Sequence, residues 1–270
     1  MPQQKEKTTA KALKIALIVT TYNWPEALRL SLGSIKRQSR LPDCVIVADD
    51  GSTADTAQLI AEARQTFPCP LVHVWQEDKG FRLAKIRNRA IAEAARRGMD
   101  YVIQIDGDII LHRQFVADHL ADAAPHQLLC GARAYISERT SKQLLSQVRR
   151  GGLSFFARGV VNRLNALRSP LLSRLVRRNK RHLGCNMSYF VADALAVNGY
   201  DEDYEGWGAE DEDFARRLKR TGVHQQRIKF KAVCFHIYHP SHARAENYPL
   251  MESKLAQGQS RVARGVDQYL

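Results

Sequence analysis

Four short runs rich in apolar and β-branched residues recur at nearly even spacing through the first part of the chain. In chain order they are Ile15–Thr20, Cys44–Ala48, Leu71–Trp75 and Tyr101–Ile105. Their starts are 29, 27 and 30 residues apart (15 to 44, 44 to 71, 71 to 101), about the length of one strand–helix–strand unit. Helical patterns fill the intervals at Pro25–Gln38, Ala54–Gln65 and Leu83–Arg97. This alternation predicts an α/β domain with a mostly parallel sheet flanked by helices.

Composition narrows the class of protein further. The chain has 270 residues, 44% apolar and 26% charged, which is typical of a globular protein and excludes a disordered or fibrous one. Its longest apolar runs, such as Ile15–Val19, are far shorter than the roughly 20 residues of a membrane span. The segment Met1–Lys14 has no apolar stretch long enough for a signal peptide. Five cysteines without a CxxC pair favour a reducing compartment, so we expect a cytoplasmic protein without disulfides or a zinc site.

The positive charge of the chain is concentrated in one segment. Lys and Arg exceed Asp and Glu by 41 − 28 = 13, and no acidic residue occurs between Arg139 and Phe190. Twelve cations lie there among apolar residues at helical spacing, with breaks at Gly151-Gly152 and Ser169-Pro170. We expect a basic amphipathic helical insert at residues 139–182. It either packs on the core with its charges in water, or docks on an anionic membrane surface or a phosphate-bearing acceptor. No helix-turn-helix, zinc-finger or RNA-binding motif accompanies it, so nucleic acid is not an expected partner.

Polar clusters follow each of the four predicted strands. They are Thr20-Thr21-Tyr22-Asn23, Asp49-Asp50-Gly51-Ser52, Asp78-Lys79-Gly80 and Asp106-Gly107-Asp108. Ligands of open α/β sheets bind beyond the carboxyl ends of the strands, where these residues fall. Two carboxylates at positions 106 and 108 point to the same side of an extended chain, which favours a divalent cation with positions left open for phosphates. Asp49 and Asp50 either stabilise a strand-to-helix turn or accept hydrogen bonds from a base or a ribose.

In this order, and with Phe81-Arg82 and Arg87-Asn88 following Asp78-Lys79-Gly80, the motifs resemble glycosyltransferase family 2. The similarity covers about residues 14–112 and resumes at 183–240. The family comprises inverting nucleotide-sugar enzymes of the GT-A fold, so the resemblance implies a metal-dependent transferase that uses a nucleotide-diphosphate sugar, most often a UDP-sugar. It also implies a set of nucleotide contacts, namely Thr21, Tyr22, Asp49 or Asp50, Arg82, Arg87 and Asp106. Asp108 would be the chief metal ligand, with Asp106 as a further one.

The second half of the chain contains an acidic cluster, with eight Asp and Glu residues among the thirteen residues from Asp201 to Asp213. A helix is expected after Ala209, ending near Gly222, and its dipole favours acids in its first turn. The dipole does not explain Gly206-Trp207-Gly208, in which an aromatic residue lies between two flexible ones. An aromatic face is a common sugar platform, and a carboxylate beside it could deprotonate an incoming hydroxyl.

The string from Gly206 to Asp213 resembles the acceptor and base motif of β-1,4-galactosyltransferases and of bacterial chondroitin polymerase. By position, Asp211 would be the general base, Glu210 an acceptor contact and Trp207 part of the acceptor wall. Ala209 stands where those enzymes often have Gly. The segment Gly184-Cys185-Asn186-Met187-Ser188 resembles an element near the donor sugar, so Asn186 joins the candidate sugar contacts.

Two histidines stand out in Cys234-Phe235-His236-Ile237-Tyr238-His239-Pro240. They are either an ordinary half-buried pair or metal ligands. In the galactosyltransferase-like enzymes a histidine after such an apolar run completes the metal site, and His236 aligns with it better than His239. Because imidazole suits Mn²⁺ more than Mg²⁺, we expect Mn²⁺, with Mg²⁺ as the alternative.

These expectations combine into one organisation. A flexible N-terminus (1–13) precedes a nucleotide-sugar-binding half (14–138), the basic insert (139–182), an acceptor-binding and catalytic half (183–245) and a C-terminal tail (246–270). The expected activity is inverting transfer of a hexose or N-acetylhexosamine from a UDP-sugar to a hydroxyl of a bacterial surface glycan, of lipopolysaccharide-core or capsule type. The protein would work at the inner face of the bacterial inner membrane as a peripheral protein. The alternatives are a non-catalytic binder of anionic lipid or nucleic acid, and a chondroitin-like chain extender.

Overall fold

The computed structural model describes residues 12–146, 153, 156–176, 184–240 and 247–270. The β-strands in these ranges are β1 (Ile15–Thr21), β2 (Cys44–Asp49), β3 (Leu71–Trp75), β4 (Tyr101–Asp106), β5 (Ile109–Leu111), β6 (Gln127–Cys130), β7 (Arg133–Tyr135), β8 (Met187–Phe190), β9 (His224–Arg227) and β10 (Cys234–His236). The α-helices are α1 (Pro25–Ile35), α2 (Ala54–Gln65), α3 (Leu83–Arg96), α4 (Phe115–Asp122), α5 (Glu138–Ser146), α6 (Pro170–Leu175), α7 (Val191–Ala196), α8 (Glu210–Arg220) and α9 (Tyr248–Ala256).

A seven-stranded sheet in the order β3-β2-β1-β4-β8-β6-β9 forms the centre of the fold. The first four strands are parallel, as predicted, with β1 in the middle between β2 and β4. Strand β8 runs antiparallel to both β4 and β6, and β9 pairs with β6 in parallel. The sheet therefore joins the first half of the chain to the second. The predicted mixed α/β fold with a mostly parallel sheet is confirmed.

The strand sequences explain why the sheet is covered on both faces. Every residue of β1 and β2, and every residue of β4 except its last, is buried, as expected for parallel strands without a solvent-facing side. One face packs against α1, α2 and α4 through residues such as Leu28, Ile60 and Phe115. The other face packs against α3, α7 and α8, with Ile86 and Phe214 among the contacts. The result is three layers with the carboxyl ends of the parallel strands left open.

A smaller three-stranded sheet, β5-β10-β7, lies beyond the end of β4. Strand β10 pairs antiparallel with β5, with His236 opposite Ile109, and parallel with β7, with His236 level with Tyr135. The backbone N–H of Ile237 then donates to the carbonyl of Asp108 at 3.0 Å. The predicted histidine segment is thereby attached to the turn that follows β4.

Element boundaries follow the sequence predictions closely in the first half. The four predicted strands agree with β1 to β4 to within one residue, and α2 has the predicted bounds. Helix α1 ends at Ile35, three residues before the predicted Gln38. Residues 1–11 of the predicted N-terminus lie outside the described residues.

The basic insert is only partly described. Its described residues contain most of α5, a short 3₁₀ turn at Arg163–Asn165 and the six-residue helix α6, whose N-cap Ser169 accepts a hydrogen bond from the Leu172 N–H. Six of its cations and the predicted break at Gly151-Gly152 fall in residues 147–152, 154–155 and 177–183, outside the described residues. Among the helices that are described, none combines the length and apolarity needed to cross a membrane.

A buried polar chain crosses the core beside β8. The hydroxyl of Tyr101 lies 2.8 Å from Ser188 Oγ, and Ser188 Oγ lies 2.7 Å from His119 Nδ1. His119 Nε2 lies 2.9 Å from Asn186 Oδ1, which can only accept a hydrogen bond. The chain therefore fits a neutral imidazole whose Nε2 carries the proton. Burial lowers the pKa of His119 to about 4, against the opposing effect of Asn186.

Acid should therefore destabilise the fold through His119. Its pKa is about 4 in the folded protein, against 6.5 for an unperturbed histidine, so between these values the unfolded chain binds a proton that the folded protein does not. The stability contributed by neutral His119 is complete above pH 6.5 and is lost as the pH falls to about 4. The full loss is about 3 kcal/mol. Urea unfolding at pH 7.5 and pH 4.5 should show a larger loss for the wild type than for His119→Gln, and equal losses would contradict the assignment.

Candidate active site

Three potential metal ligands converge where the small sheet meets the end of β4. Asp108, His236 and His239 each offer one ligand atom, and the three atoms lie within 4.8 Å of one another. Asp108 Oδ2 lies 3.3 Å from His236 Nε2 and 3.2 Å from His239 Nε2. The ring of Tyr135 lies edge-on to His236, with 5.7 Å between centroids, and that of Trp24 edge-on to His239 at 6.0 Å.

The chemistry of these three residues fits a divalent cation. Two buried atoms, Asp108 Oδ1 and His236 Nδ1, have no hydrogen-bond partner among the described residues. Burial lowers the pKa of His236, which favours the neutral imidazole that a metal requires. The hydrogen bond to Asp108 raises the pKa of His239. One carboxylate and two imidazoles suit Mn²⁺, and so small a donor set leaves coordination positions for phosphate oxygens.

His239 enters this cluster although sequence reasoning favoured His236 alone. Residues three apart on an extended chain point to opposite faces, so the spacing gave no reason to pair the two histidines. The chain leaves β10 at His236, and the following loop turns the second imidazole back towards the same carboxylate. Only tertiary structure supplies this turn.

Asp106 lies apart from the cluster, which corrects its expected role as a metal ligand. Strand β4 ends at Asp106 and a turn follows, so positions 106 and 108 do not share one side as they would on a continuous strand. Asp106 Oδ1 accepts a hydrogen bond from Thr20 Oγ1 at 2.9 Å and lies 3.5 Å from Arg87 Nη2. Gly107 permits this turn, because a Cβ there would lie 2.9 Å from the carbonyl oxygen of Thr20.

Most of the acidic cluster in the second half forms structural ion pairs. Asp201 and Asp203 each lie 2.6 Å from Lys254 Nζ, and Asp213 pairs with the buried Arg217 at 2.7 Å. Glu212, in the first turn of α8 where the helix dipole favours acids, pairs with Arg216 at 2.5 Å. Glu210 and Asp211, which begin α8, both contact the buried Arg87.

Asp211 sits at the centre of a buried network. Arg87 Nη1 donates to Asp211 Oδ1 at 2.8 Å and to Glu210 Oε1 at 3.0 Å. The hydroxyl of Tyr200 donates to the same Asp211 oxygen at 3.2 Å. Burial raises the pKa of Asp211, and the Arg87 guanidinium opposes that rise. The Asp211 side chain is still 23% exposed, so it can be reached by a substrate hydroxyl.

A glycine lies directly behind this carboxylate. A Cβ at Gly184 would overlap the carboxylate of Asp211, so the backbone of residue 184 supplies the wall against which Asp211 rests. Gly184 belongs to the sequence element singled out for Asn186, but nothing in the sequence indicated that it faces Asp211.

Asn186 corrects another expectation, since its side chain is completely buried. Its Nδ2 donates to the carbonyls of Ala132 at 3.0 Å and Ala232 at 2.9 Å, and its Oδ1 lies 2.9 Å from His119 Nε2. An amide used in this way offers no free group to a sugar. Asn186 instead holds the loops around β6 and β10 together.

The predicted nucleotide-binding residues lie at the carboxyl ends of β1 and β2. Asp49 Oδ1 accepts from the Ser52 N–H at 2.8 Å, and its Oδ2 lies 2.9 Å from His73 Nε2. Asp50 accepts from Gln76 Nε2 and from the Arg82 N–H, at 2.5 and 2.9 Å. Both carboxylates are buried; Asp49 stabilises the turn after β2, whereas Asp50 binds the segment that leads into α3.

The side chains around the ends of β1 and β2 differ in their solvent exposure. Thr21 is buried at the end of β1, whereas the neighbouring Tyr22 is half-exposed and its hydroxyl donates to Asp78 Oδ2 at 2.9 Å. The Arg82 guanidinium donates to the Glu77 carbonyl. Arg87, expected to contact the nucleotide, is instead fully buried among carboxylates.

Trp207 projects from the loop before α8 and is 47% exposed, as a sugar platform requires. The N–H of the preceding Gly206 donates to the carbonyl of Phe81 at 2.9 Å, which ties this loop to the loop after β3. Gly206, Gly208 and Ala209 all have positive φ, and Ala209 at 72° occupies the left-handed region that favours glycine. The backbone thus explains why glycine is common at that position in similar motifs.

Comparison with known proteins defines the family. The sequence profile described as glycosyl transferase family 2 matches residues 16–193, which is more than half of the chain. The chain belongs to this family. A second profile, described as the N-terminal domain of galactosyltransferase, matches residues 173–240 and includes Trp207 and Asp211.

Curated relatives are longer than this family 2 chain. Validoxylamine A glucosyltransferase of Streptomyces hygroscopicus subsp. limoneus is 28% identical over 225 residues, covering 77% of this chain and 48% of the relative. Chondroitin synthase of Pasteurella multocida (strain Pm70) is 25% identical over 235 residues, covering 80% of this chain and 24% of the relative. The chain therefore spans about half of the former protein's length and a quarter of the latter's.

Solved structures share the fold. S. aureus TarS 1-349 in complex with UDP has a TM-score of 0.62 at 19% identity, over 95% of this chain and 68% of that one. GalNAc-T7 with UDP, GalNAc and Mn²⁺ has a TM-score of 0.61 at 12% identity, over 85% of this chain and 44% of that one. The GT-A fold expected from the sequence motifs is thereby confirmed.

The contact between Gly184 and Asp211 gives a direct test of the site. Gly184→Ala adds a methyl group that displaces the Asp211 carboxylate, and a shift of about 1 Å in a catalytic group costs roughly 100-fold in turnover. Initial rates of sugar transfer or of donor hydrolysis measure the loss. Gly33→Ala on α1 is the matched control, because its added Cβ meets only Arg37 Nη1 at 3.6 Å. Equal rates for the two variants would show that Gly184 does not position Asp211 for the reaction.

Proposed function

We propose that this chain transfers a hexose or N-acetylhexosamine from a UDP-sugar to a hydroxyl of a glycan acceptor, with inversion at the anomeric carbon. The observation that carries the proposal is the pairing of two features across the strand ends. On one side lies the Asp108–His236–His239 cluster, and on the other lies the accessible carboxylate of Asp211. Arg87 links them, since it contacts both Asp211 and Asp106, two residues before Asp108.

The chemistry assigned to each residue follows from its surroundings. Asp211 takes the proton of the acceptor hydroxyl while the oxygen forms its bond to the anomeric carbon, and the bond from that carbon to the nucleotide diphosphate breaks. Attack from the face opposite the leaving group converts an α-linked donor into a β-linked product. One carboxylate base suffices, in contrast to the carboxylate pair of retaining glycosidases.

Asp108, His236 and His239 would hold the divalent cation of the site, for which we favour Mn²⁺ over Mg²⁺. When bound, it supplies Lewis-acid stabilisation of the negative charge on the departing diphosphate. Asp106, which also contacts Arg87, accepts a hydrogen bond from the Thr20 hydroxyl. This bond holds the end of β1 against the turn after β4.

UDP is the favoured nucleotide because TarS and GalNAc-T7, which share the fold, were solved with UDP. A mannosyltransferase of Pyrobaculum calidifontis with a TM-score of 0.53 was solved with GDP-Man and Mn²⁺, so GDP is the competing choice. The nucleotide would lie over the ends of β1 and β2, beside Thr21 and the half-exposed Tyr22.

A carbohydrate is the favoured acceptor. The relatives include a chondroitin synthase, a hyaluronan synthase and a glucosyltransferase. Trp207 offers an aromatic face beside Glu210 and Asp211 at the start of α8. We favour a lipid-borne bacterial surface glycan of lipopolysaccharide-core or capsule type, because its phosphates complement the acid-free basic insert.

Two substitutions should separate catalysis from metal-dependent donor binding. Asp211→Asn should lower turnover roughly 10²–10⁴-fold, the range for a missing general base, while UDP still binds in the presence of Mn²⁺. Asp108→Ala should abolish the Mn²⁺ dependence of UDP binding, since it removes the carboxylate that both histidines face. Calorimetry with and without Mn²⁺, and a screen of UDP-sugars and GDP-sugars for hydrolysis, provide the measurements. Near-normal turnover of Asp211→Asn would remove it as the base, and unchanged metal dependence in Asp108→Ala would discard the metal site.

The described part of the insert supports a membrane-associated acceptor. Several aliphatic and aromatic side chains are exposed between positions 156 and 175, and exposed arginines alternate with them. We name this set the apolar–basic segment; its members are Phe156, Arg158, Val161, Arg163, Leu164, Leu171, Arg174 and Leu175. Large exposed apolar side chains on a soluble surface mark interaction sites, and cations among them suit an anionic lipid surface.

This segment borders the proposed metal cluster. The N–H of Val161 donates to the carbonyl of Tyr135 at 2.9 Å, and the Tyr135 ring lies edge-on to His236. Nearby, Ser141 Oγ accepts from the Tyr238 N–H at 2.9 Å, one residue before His239. A lipid surface bound by the apolar–basic segment would therefore lie close to the site where a lipid-borne sugar reacts. We propose a peripheral location at the cytoplasmic face of the bacterial inner membrane.

Vesicle sedimentation tests this docking. The protein should sediment with phosphatidylcholine vesicles that contain phosphatidylglycerol, and less so at high salt. Replacing both Leu171 and Leu175 by Ser should weaken binding roughly tenfold or more, because a buried leucine contributes about 1.5 kcal/mol or more. Leu270→Ser, at another exposed leucine, is the control and should bind as the wild type does. Equal binding by the double variant, or salt-independent binding, would exclude this surface.

A further inference from the structure

Arg87 is a buried cation shared by three carboxylates. It lies on α3, is 1% exposed, and contacts residues from two other elements. Its Nη1 lies 2.8 Å from Asp211 Oδ1 and 3.0 Å from Glu210 Oε1, and its Nη2 lies 3.5 Å from Asp106 Oδ1. The guanidinium carbon also lies 5.2 Å from the centre of the Tyr200 ring.

The contacts of Arg87 argue against a role in binding the nucleotide. Both terminal nitrogens of Arg87 are engaged by carboxylates, and the side chain has almost no exposed surface through which a diphosphate or ribose could reach it. The planar guanidinium can donate hydrogen bonds in two directions at once, to the carboxylates at the start of α8 and to the carboxylate at the end of β4. A lysine ammonium at this position would reach only one of them well.

We propose that Arg87 is a positioning residue of the transfer reaction, which holds the carboxylate of Asp211 ionised and aimed into the site. The inference rests on the proposed function, because it takes Asp211 as the base. Without Arg87, Asp211 and Glu210 would face each other and Asp106 with no cation between them, and a proton would bind to relieve the repulsion. A protonated Asp211 cannot accept the proton of an acceptor hydroxyl.

Within the described residues, the titratable and charged groups that face Asp211 come from α3, β4, β8, α8 and the loop after α7. They are Arg87 of α3, Asp106 at the end of β4, Tyr189 of β8, Tyr200 after α7 and Glu210 of α8. Arg87 is the cation of this set, and the other charged groups are acids. Removing Arg87 therefore leaves only acids around Asp211, which can only raise the pKa of its carboxyl group.

The test is the titration of Asp211 in the free full-length protein, followed by NMR of carboxyl-labelled aspartate. The Asp211 signal is identified by its absence in Asp211→Asn. In Arg87→Met the pKa of Asp211 should rise by about one unit or more, since an opposite charge this close typically lowers a carboxyl pKa by 1–3 units. In Arg87→Lys the rise should be smaller, because the charge remains. The acidic limb of turnover should move to higher pH in parallel, with UDP affinity changed less than about twofold.

Arg217 supplies the matched control. It is another buried arginine, 2.7 Å from Asp213 and bonded to the carbonyls of Val197 and Gly199. Arg217→Lys should lower stability without moving the Asp211 titration. Arg87→Lys, with the charge retained, keeps the comparison available if Arg87→Met does not fold.

Two results would overturn the proposal. An unmoved Asp211 titration in both Arg87 variants would reduce Arg87 to a structural role. Weakened UDP binding with an unmoved titration would assign it to the nucleotide. Because the titration needs no substrate, it remains decisive if no sugar donor is turned over, a result that would count against the proposed function alone.

Discussion

The parallel pairing of β1 with both β2 and β4 is the constraint on which the site depends. Its register sets Thr21 level with Asp49 and Thr20 level with Asp106, so three loops begin at one edge of the sheet. A slip of one residue would send each of these side chains to the opposite face. Packing against the helices opposes such a slip, because Ala16 and Ile18 of β1 fit the cluster on one face while Ile15, Leu17 and Val19 fit the cluster on the other.

The second half of the chain adds charged and metal-ligating side chains to this edge of the sheet. Strand β10 and the loop after it bring two imidazoles to Asp108, and α8 brings two carboxylates to Arg87. With a divalent cation held at Asp108 as proposed, cations and acids would alternate from that cluster through Asp106 and Arg87 to Asp211. On the proposed function, one end of this series would neutralise a diphosphate while the other keeps an ionised carboxylate.

The fold was largely predictable from the sequence, because runs of apolar residues and their helical intervals are local patterns. The strand ends and their aspartates followed from the same reasoning. The contacts of Arg87 did not, since Glu210 and Asp211 lie 123 and 124 residues further along the chain. Asn186 was misassigned for a similar reason: its burial depends on loops more than 40 residues away on either side. The resemblance to known motifs indicated which residues belong to the candidate site. Their burial and their hydrogen-bond partners could be read only from the folded structure.

The loop that carries Trp207 has a consequence for how such enzymes diversify. It runs through two glycines and an alanine held at φ 72°, and only then enters the rigid helix with the two carboxylates. Its backbone is already adapted to conformations that most residues avoid, while the helix behind it is fixed by the buried Phe214 and Leu218. The three residues with positive φ therefore restrict what can replace them, whereas the exposed Trp207 between them can change without disturbing the charged groups. On the proposed function, new sugar preferences would evolve most easily at this one position, with the carboxylates of the helix unchanged.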